Sequence, residues 1–259
     1  MRVMTGLVVV LALGYLGVCV ALFFYQRSLI YFPQPRSSGV AATFIKLPVK
    51  EAEVYASARV QDKPGAVIYL GGNAEYAGFA LDTLSAAFPK HAVYALDYRG
   101  YGGSSGTPSE QALQKDALAL FDMVHAKHPQ IIVVGRSLGS GIATALARER
   151  PVSRLVLITP YFSLEELAAK YFPYVPIRWI LSDKFESWRH APHIKAPTII
   201  VVAEHDEIIP RASSEQLHRA FPSGVAAYYT LPGADHNNIS AHPLYVETLR
   251  RAIESAEIH

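Results

Sequence analysis

The pattern of apolar and polar positions divides the chain near Arg27. Between Arg2 and Arg27 no side chain is charged, and Leu7 to Tyr25 reads LVVVLALGYLGVCVALFFY. An α-helix of about 20 apolar residues crosses the roughly 30 Å hydrocarbon core of a bilayer, so this stretch predicts a membrane-spanning helix. A core helix of a soluble domain keeps a polar face, which this run lacks. A cleaved signal peptide is the stronger rival. Its apolar region is about 7–15 residues long and ends at a small-residue cleavage site, whereas this run is longer and ends in Phe23-Phe24-Tyr25. Residues 1–27 are therefore expected to form an uncleaved N-terminal transmembrane anchor.

Beyond the anchor the pattern changes period. Ser28 to Pro35 is an aromatic segment closed by prolines; it suits either the lipid headgroup region or a strand edge docked on the following domain. Strand-like runs then cover Thr43 to Leu47, Glu53 to Val60 and Ala66 to Leu70. Alternation begins there: helix from Phe79 to Phe88, strand from Ala92 to Leu96, helix from Glu110 to Ala126, strand from Ile131 to Val134. It continues with a helix over Ile142 to Arg150 and strands over Leu155 to Ile158 and Thr198 to Val202. A helix over Ser213 to Phe221, a strand over Ala227 to Leu231 and a helix over Leu244 to Ala256 complete it. Short, fully apolar strands alternating with amphipathic helices predict a mostly parallel sheet with helices on both faces, an α/β fold. The leading strands add an antiparallel part. No repeat or linker interrupts residues 28–259, which read as one domain. Residues 160–196 hold the one break in the alternation, a stretch with Tyr161, Phe162, Tyr171, Phe172, Tyr174, Trp179, Phe185 and Trp188. It predicts a short aromatic lid that lines an apolar pocket while also packing on the core.

Composition narrows the function classes. Hydrophobic residues make up 51% and charged residues 18% of the 259, and the apolar surplus sits in the anchor. A formal net charge of +2 offers no basic field for nucleic acid. Cys19 is the single cysteine, so an internal disulfide and a Cys/His zinc cluster are both excluded. The segment Leu16-Gly17-Val18-Cys19 has only the outline of a lipoprotein box, with bulky Val18 where a small residue belongs. Arg2 flanks one side of the anchor and Arg27, Arg36 and Lys46 the other. The basic-residue count favours a cytoplasmic domain, and the short N-terminus before a large domain favours the opposite side.

Candidate chemistry centres on Gly135-Arg136-Ser137-Leu138-Gly139-Ser140-Gly141, which follows the strand Ile131 to Val134 and precedes a helix. Strand, Gly-x-Ser-x-Gly turn and helix are the parts of a nucleophile elbow. The glycines are expected where a side chain would clash, with Ser137 raised above the sheet at a helix N-terminus. A serine hydroxyl needs a base, and the base needs an orienting carboxylate. In such a sheet these partners follow in the order Ser, Asp or Glu, His. The strand Thr198 to Val202 runs into Glu204-His205-Asp206-Glu207, where Asp206 is the expected carboxylate and Glu204 and Glu207 are neighbours able to substitute. After the last strand comes Pro232-Gly233-Ala234-Asp235-His236, which makes His236 the expected base; His205 and His242 have no comparable position. The loop Gly71-Gly72-Asn73-Ala74-Glu75 is the expected second half of an oxyanion hole, with the backbone N–H groups of Asn73 and Leu138 as donors.

With these stretches in place, the chain resembles the α/β-hydrolase superfamily, and within it the membrane-anchored serine hydrolases that include acyl-protein depalmitoylases. The matching stretches are GGNAE, DYRGYGGSSGTPSE from Asp97, GRSLGSG, EHDEIIP and GADHNNI, with the YFPQP segment after the anchor. The resemblance implies Ser137, Asp206 and His236 as a catalytic triad and Asn73 with Leu138 as the oxyanion hole. Relatives have His-Gly-Asn where this chain has Gly71-Gly72-Asn73. The DYRGYGGSSG loop is expected to shape the rim of the sheet through Asp97 and Arg99. The expected activity is cleavage of carboxylic ester or thioester bonds of small-molecule or lipid acyl substrates through an acyl-enzyme. No metal or organic cofactor is implied, and no nucleic acid partner. A serine peptidase or amidase on the same triad is the alternative, and a non-catalytic membrane scaffold with the same fold is a second.

Overall fold

The computed structural model describes residues 2–254. Helix α1 (Arg2–Ile30) contains the expected span and is about 43 Å long at 1.5 Å per residue. Its mean hydropathy reaches 2.8 and nearly all its side chains are exposed, so it is long and apolar enough to cross a membrane. The domain then lays down β1 (Thr43–Lys46), β2 (Tyr55–Arg59), β3 (Gly65–Leu70), α2 (Ala80–Ala87), β4 (His91–Asp97) and α3 (Glu110–His125). Next come β5 (Gln130–Arg136), α4 (Leu138–Glu149) and β6 (Arg154–Ile158). Three short helices form the insertion, α5 (Leu164–Tyr171), α6 (Ile177–Ile180) and α7 (Ser187–His190). The chain ends with β7 (Thr198–His205), α8 (Arg211–Ala220), β8 (Ala226–Asp235) and α9 (Tyr245–Glu254). The expected extension of the last helix to Ala256 lies in part outside the described residues.

Among the described residues, eight strands join one sheet in the order β1-β2-β4-β3-β5-β6-β7-β8. β2 pairs antiparallel with β1 and β4, and every other pairing is parallel. This is the mostly parallel α/β sheet expected from the sequence pattern, in the α/β-hydrolase arrangement that the resemblance implies. The central strands are uniformly apolar because both faces are covered: β3 is buried at every position. Separate apolar clusters fill the two faces, one around α3, α4 and α8 and one around α2 and α9. In α3 the buried Leu113, Ala117, Leu120 and Val124 recur at helical spacing, and the Ser109 side chain caps its first turn by accepting from the Ala112 N–H.

Two differences from the sequence reading bear on the site. Helix α4 begins at Leu138, four residues before the expected Ile142. Its first turn is Leu138-Gly139-Ser140-Gly141, whose composition suggests a loop but whose burial against β3 and the insertion holds it helical. The aromatic segment after the anchor splits between its two readings. Tyr31 is buried in the domain core, while Phe32 remains half exposed beside it.

Candidate active site

The turn between β5 and α4 carries Ser137 at φ 48° and ψ −116°, a left-handed conformation that a non-glycine residue adopts only under constraint. The constraint is packing. A Cβ at Gly139 would lie 2.0 Å from the Leu70 carbonyl oxygen, and one at Gly135 2.5 Å from Ala143 Cβ. A Cβ at Gly141 would lie 2.5 Å from Tyr161 Oη. The helix thus rises flush against the ends of β3 and β5, with Ser137 at its N-terminus where the helix dipole is positive.

Two further loops bring their side chains to Ser137. Asp206, just past β7, accepts at Oδ1 from the backbone N–H groups of Ile208 (3.0 Å) and Ile209 (2.7 Å), which fix its orientation. His236, just past β8, has Nδ1 at 2.8 Å from Asp206 Oδ2 and 3.0 Å from Oδ1. A carboxylate only accepts, so Nδ1 carries the proton and Nε2 is left with its lone pair. That Nε2 lies 3.0 Å from Ser137 Oγ, within reach of its proton. Asp206 and His236 are both nearly buried, with side-chain exposures of 6% and 8%. Glu204 is occupied elsewhere, accepting from the Gly233 N–H at 2.8 Å, and Glu207 is exposed. His205 is exposed, and His242 accepts only from the nearby Leu244 N–H.

The Gly71-Gly72-Asn73 loop passes alongside the serine: a Cβ at Gly72 would stand 3.7 Å from Ser137 Cβ. Asn73 and Leu138 line the same cavity as Ser137 and His236. The Asn73 side chain has a function that the sequence did not reveal. Its Oδ1 accepts from Phe32 N–H (3.0 Å) and Tyr101 Oη (2.8 Å), and its Nδ2 donates to the Ile30 carbonyl at the end of α1.

Sequence reasoning also missed a charged cluster beside the site. Arg136 donates to Glu75 Oε2 at 2.9 Å and to the carbonyls of His236 (3.2 Å) and Asn237 (3.3 Å). Glu75 in turn accepts from Gly72 N–H (2.8 Å) and Tyr69 Oη (2.7 Å). One ion pair thus ties the Gly-Gly-Asn loop, the nucleophile strand and the histidine loop. The available signal was an arginine ending an apolar strand one residue before the serine. The DYRGYGGSSG loop behaves as expected: Ser104 Oγ donates to the Asp97 carbonyl at 2.8 Å, and Arg99 makes two 2.8 Å bonds to Asp116. Among the described residues, no group of three or more His, Cys, Asp or Glu side chains could hold a metal ion.

Above Ser137 opens a cavity of about 450 Å³. The insertion contributes Leu167, Phe172, Ile177 and Leu181 to its walls, and among the described residues no Asp or Glu lines it. Of the other insertion aromatics, Tyr161 and Phe185 are core residues, Phe162 stacks on the exposed Trp188 with centroids 5.9 Å apart, and Tyr174 and Trp179 are exposed. A serine with a matched base, an orienting carboxylate and a largely apolar pocket can transfer an acyl group.

Residues 61–189 match the protein family described as serine aminopeptidase, S33. An uncharacterized protein of Mycobacterium tuberculosis, Rv2307c, is 32% identical over 246 residues, covering 89% of this chain and 87% of that protein. Lysophosphatidylserine lipase ABHD12 of Macaca fascicularis is 30% identical over 226 residues, which cover 74% of this chain and 56% of the lipase. The esterase Pf2001 of Pyrococcus furiosus superposes with a TM-score of 0.65 at 16% identity, covering 88% of this chain and 100% of the esterase, a likeness of fold.

Proposed function

The chain belongs to the α/β-hydrolase family, and on that premise we propose a membrane-anchored serine hydrolase of the esterase/lipase type that cleaves esters or thioesters of apolar acyl chains. Ser137 is the nucleophile, His236 the general base and acid, and Asp206 the group that orients the imidazole. His236 Nε2 takes the Ser137 proton as Oγ attacks the acyl carbonyl. The backbone N–H groups of Asn73 and Leu138 stabilise the oxyanion, each donor being worth about 3–4 kcal/mol in such sites. His236 then protonates the leaving group. Water enters, gives its proton to the same nitrogen, and frees the acid from Ser137.

The observation that carries this reading is the Ser137–His236–Asp206 hydrogen-bonded chain at the floor of an apolar cavity. The lipase relatives support a lipid ester as substrate, and α1 supports a site held at the membrane. A peptidase reading draws on the family's description as an aminopeptidase. Recognising a free α-amino group calls for an anion near the scissile bond, and among the described residues no carboxylate lines the cavity. An acyl ester fits that lining better.

Fluorophosphonate labelling of the full chain tests the nucleophile. Wild type is expected to label and Ser137→Ala to stay unlabelled, and equal behaviour of the two would end the hydrolase reading. A panel of acyl esters from two to sixteen carbons, run beside thioesters and aminoacyl amides, tests the substrate class. A preference for acetyl over every longer chain would count against apolar acyl substrates.

A further inference from the structure

Helix α1 is fastened to the domain along its C-terminal half. Gln26 is the buried residue of that helix. Its Oε1 accepts from Ser182 N–H at 2.7 Å and its Nε2 donates to the Ile180 carbonyl at 3.1 Å, so one amide pairs with the backbone at the end of α6. Arg27 Nε and Tyr31 Oη both reach Asp183 Oδ2, at 3.2 and 3.0 Å. At the helix end, the Ile30 carbonyl accepts from Asn73, in the loop beside the serine. Higher up, Tyr15 Oη donates to the Tyr174 carbonyl of the insertion at 2.8 Å. A helix that served only as a tether would need none of these bonds.

Between these fastenings α1 faces the site. Leu22, Gln26, Leu29 and Ile30, spaced i, i+4, i+7 and i+8, form one helical face and line the cavity that holds Ser137 and His236. The opposite wall comes from the insertion. Where the bilayer lies follows from length. The insertion accompanies α1 from Tyr15 to the helix end, so between the charge of Arg2 and the insertion only residues 3–14, about 18 Å of uncharged helix, are clear of it. That is too short for a hydrocarbon core of roughly 30 Å. A spanning α1 therefore draws the insertion into the near leaflet, with Tyr174 and Trp179 87% and 84% exposed to it, while Phe24 and Tyr25 lie about 14 Å further along α1 than Tyr15, toward the headgroups.

We infer that α1 is a wall of the acyl site, and that the acyl chain of a lipid ester in the same membrane slides from the near leaflet into the cavity between Leu22 and Leu29 and the insertion. This rests on the hydrolase reading and adds the route and the specificity-determining residues. The chain need not cross water to reach Ser137, because the wall it follows is continuous with the bilayer.

The test uses the full chain in phosphatidylcholine vesicles with p-nitrophenyl esters from four to sixteen carbons. Leu22→Trp and Leu29→Trp add bulk to the wall and should lower the kcat/KM ratio of sixteen to four carbons at least tenfold. Leu29→Ala should move the optimum toward longer chains. Leu11→Trp, on the part of α1 clear of the insertion, should keep the wild-type ratio. Fluorophosphonate labelling of each variant reports whether Ser137 is still assembled. Labelled Leu22 and Leu29 variants with an unchanged ratio would overturn the inference. If wild type itself does not label, the hydrolase reading fails instead. A second measurement places the insertion: with Trp188→Phe leaving Trp179 as the one tryptophan, brominated phospholipids should quench its emission. No quenching overturns the leaflet route.

Discussion

Arg136 stands beside the nucleophile without touching the reacting atoms, and its position makes it a positioning residue. With Glu75 it forms a pair whose side chains are 13% and 15% exposed, and the pair holds the loops that carry Asn73 and His236. Removing one partner of such a pair leaves the other charge largely desolvated, at about 3–5 kcal/mol. Glu75→Gln is thus expected to lower Tm and to reduce kcat roughly 10- to 100-fold with a smaller change in KM, since a misplaced loop spoils the transition state more than substrate binding. Arg136→Lys should not restore function, because a single ammonium cannot span the carboxylate and both carbonyls. Wild-type kcat and Tm in Glu75→Gln would show the pair to be ornamental. Asp97 makes a separate prediction. Burial pushes its carboxyl up to about 7, against the opposing effects of the Ser57 hydrogen bond and Arg36, and its Oδ1 has no hydrogen-bond partner. The folded chain thus keeps a proton that the unfolded chain loses near its ordinary value of 3.8. The stabilisation this gives is full below about pH 4 and lost as pH rises through about 7, at most about 4 kcal/mol. Asp97→Asn should gain Tm relative to wild type between pH 5 and 8, and parallel Tm curves would refute the assignment.

At the scale of elements, the close approach of α4 to β3 decides what the nucleophile turn tolerates. Gly139→Ala places a methyl 2.0 Å from the Leu70 carbonyl oxygen and should abolish folding or lower Tm by well over 10 °C. Gly233→Ala is the matched control. Its φ is +72° but nothing lies within 4 Å of the added carbon, so only the backbone strain of about 1 kcal/mol applies. Similar Tm losses in the two variants would mean that the contact with Leu70 does not decide the requirement for Gly139. The same approach explains which boundaries were legible. The ends of β3 and β6 follow from uniform apolar runs, because a strand buried on both faces carries its period in its own residues. The start of α4 was not legible, since Gly139 and Gly141 are poor helix formers and become helical only where another element leaves no room for a side chain.

For the whole molecule, the arrangement predicts that the N-terminal segment stays with the enzyme. Intact-mass analysis of the membrane fraction should find α1 attached, and a mature form lacking residues 1–27 would support a signal peptide and remove Leu22 and Gln26 from the site. The sequence by itself determined the order of the strands and of the helices outside the insertion, the apolar span, and the candidates Ser137 and His236 with a carboxylate from Glu204, Asp206 or Glu207. Each of these is written locally, in a run's period or in a motif at a strand end. Only the tertiary structure decided that Asp206 rather than Glu204 faces His236, that Arg136 and Glu75 clasp the loops, and that Gln26 and Asn73 bind α1 to the site. The physical reason is distance along the chain. Gln26 meets Ser182 across 156 residues and Arg136 meets Glu75 across 61, and no local pattern of residues encodes which polar group answers another once the chain has closed on itself.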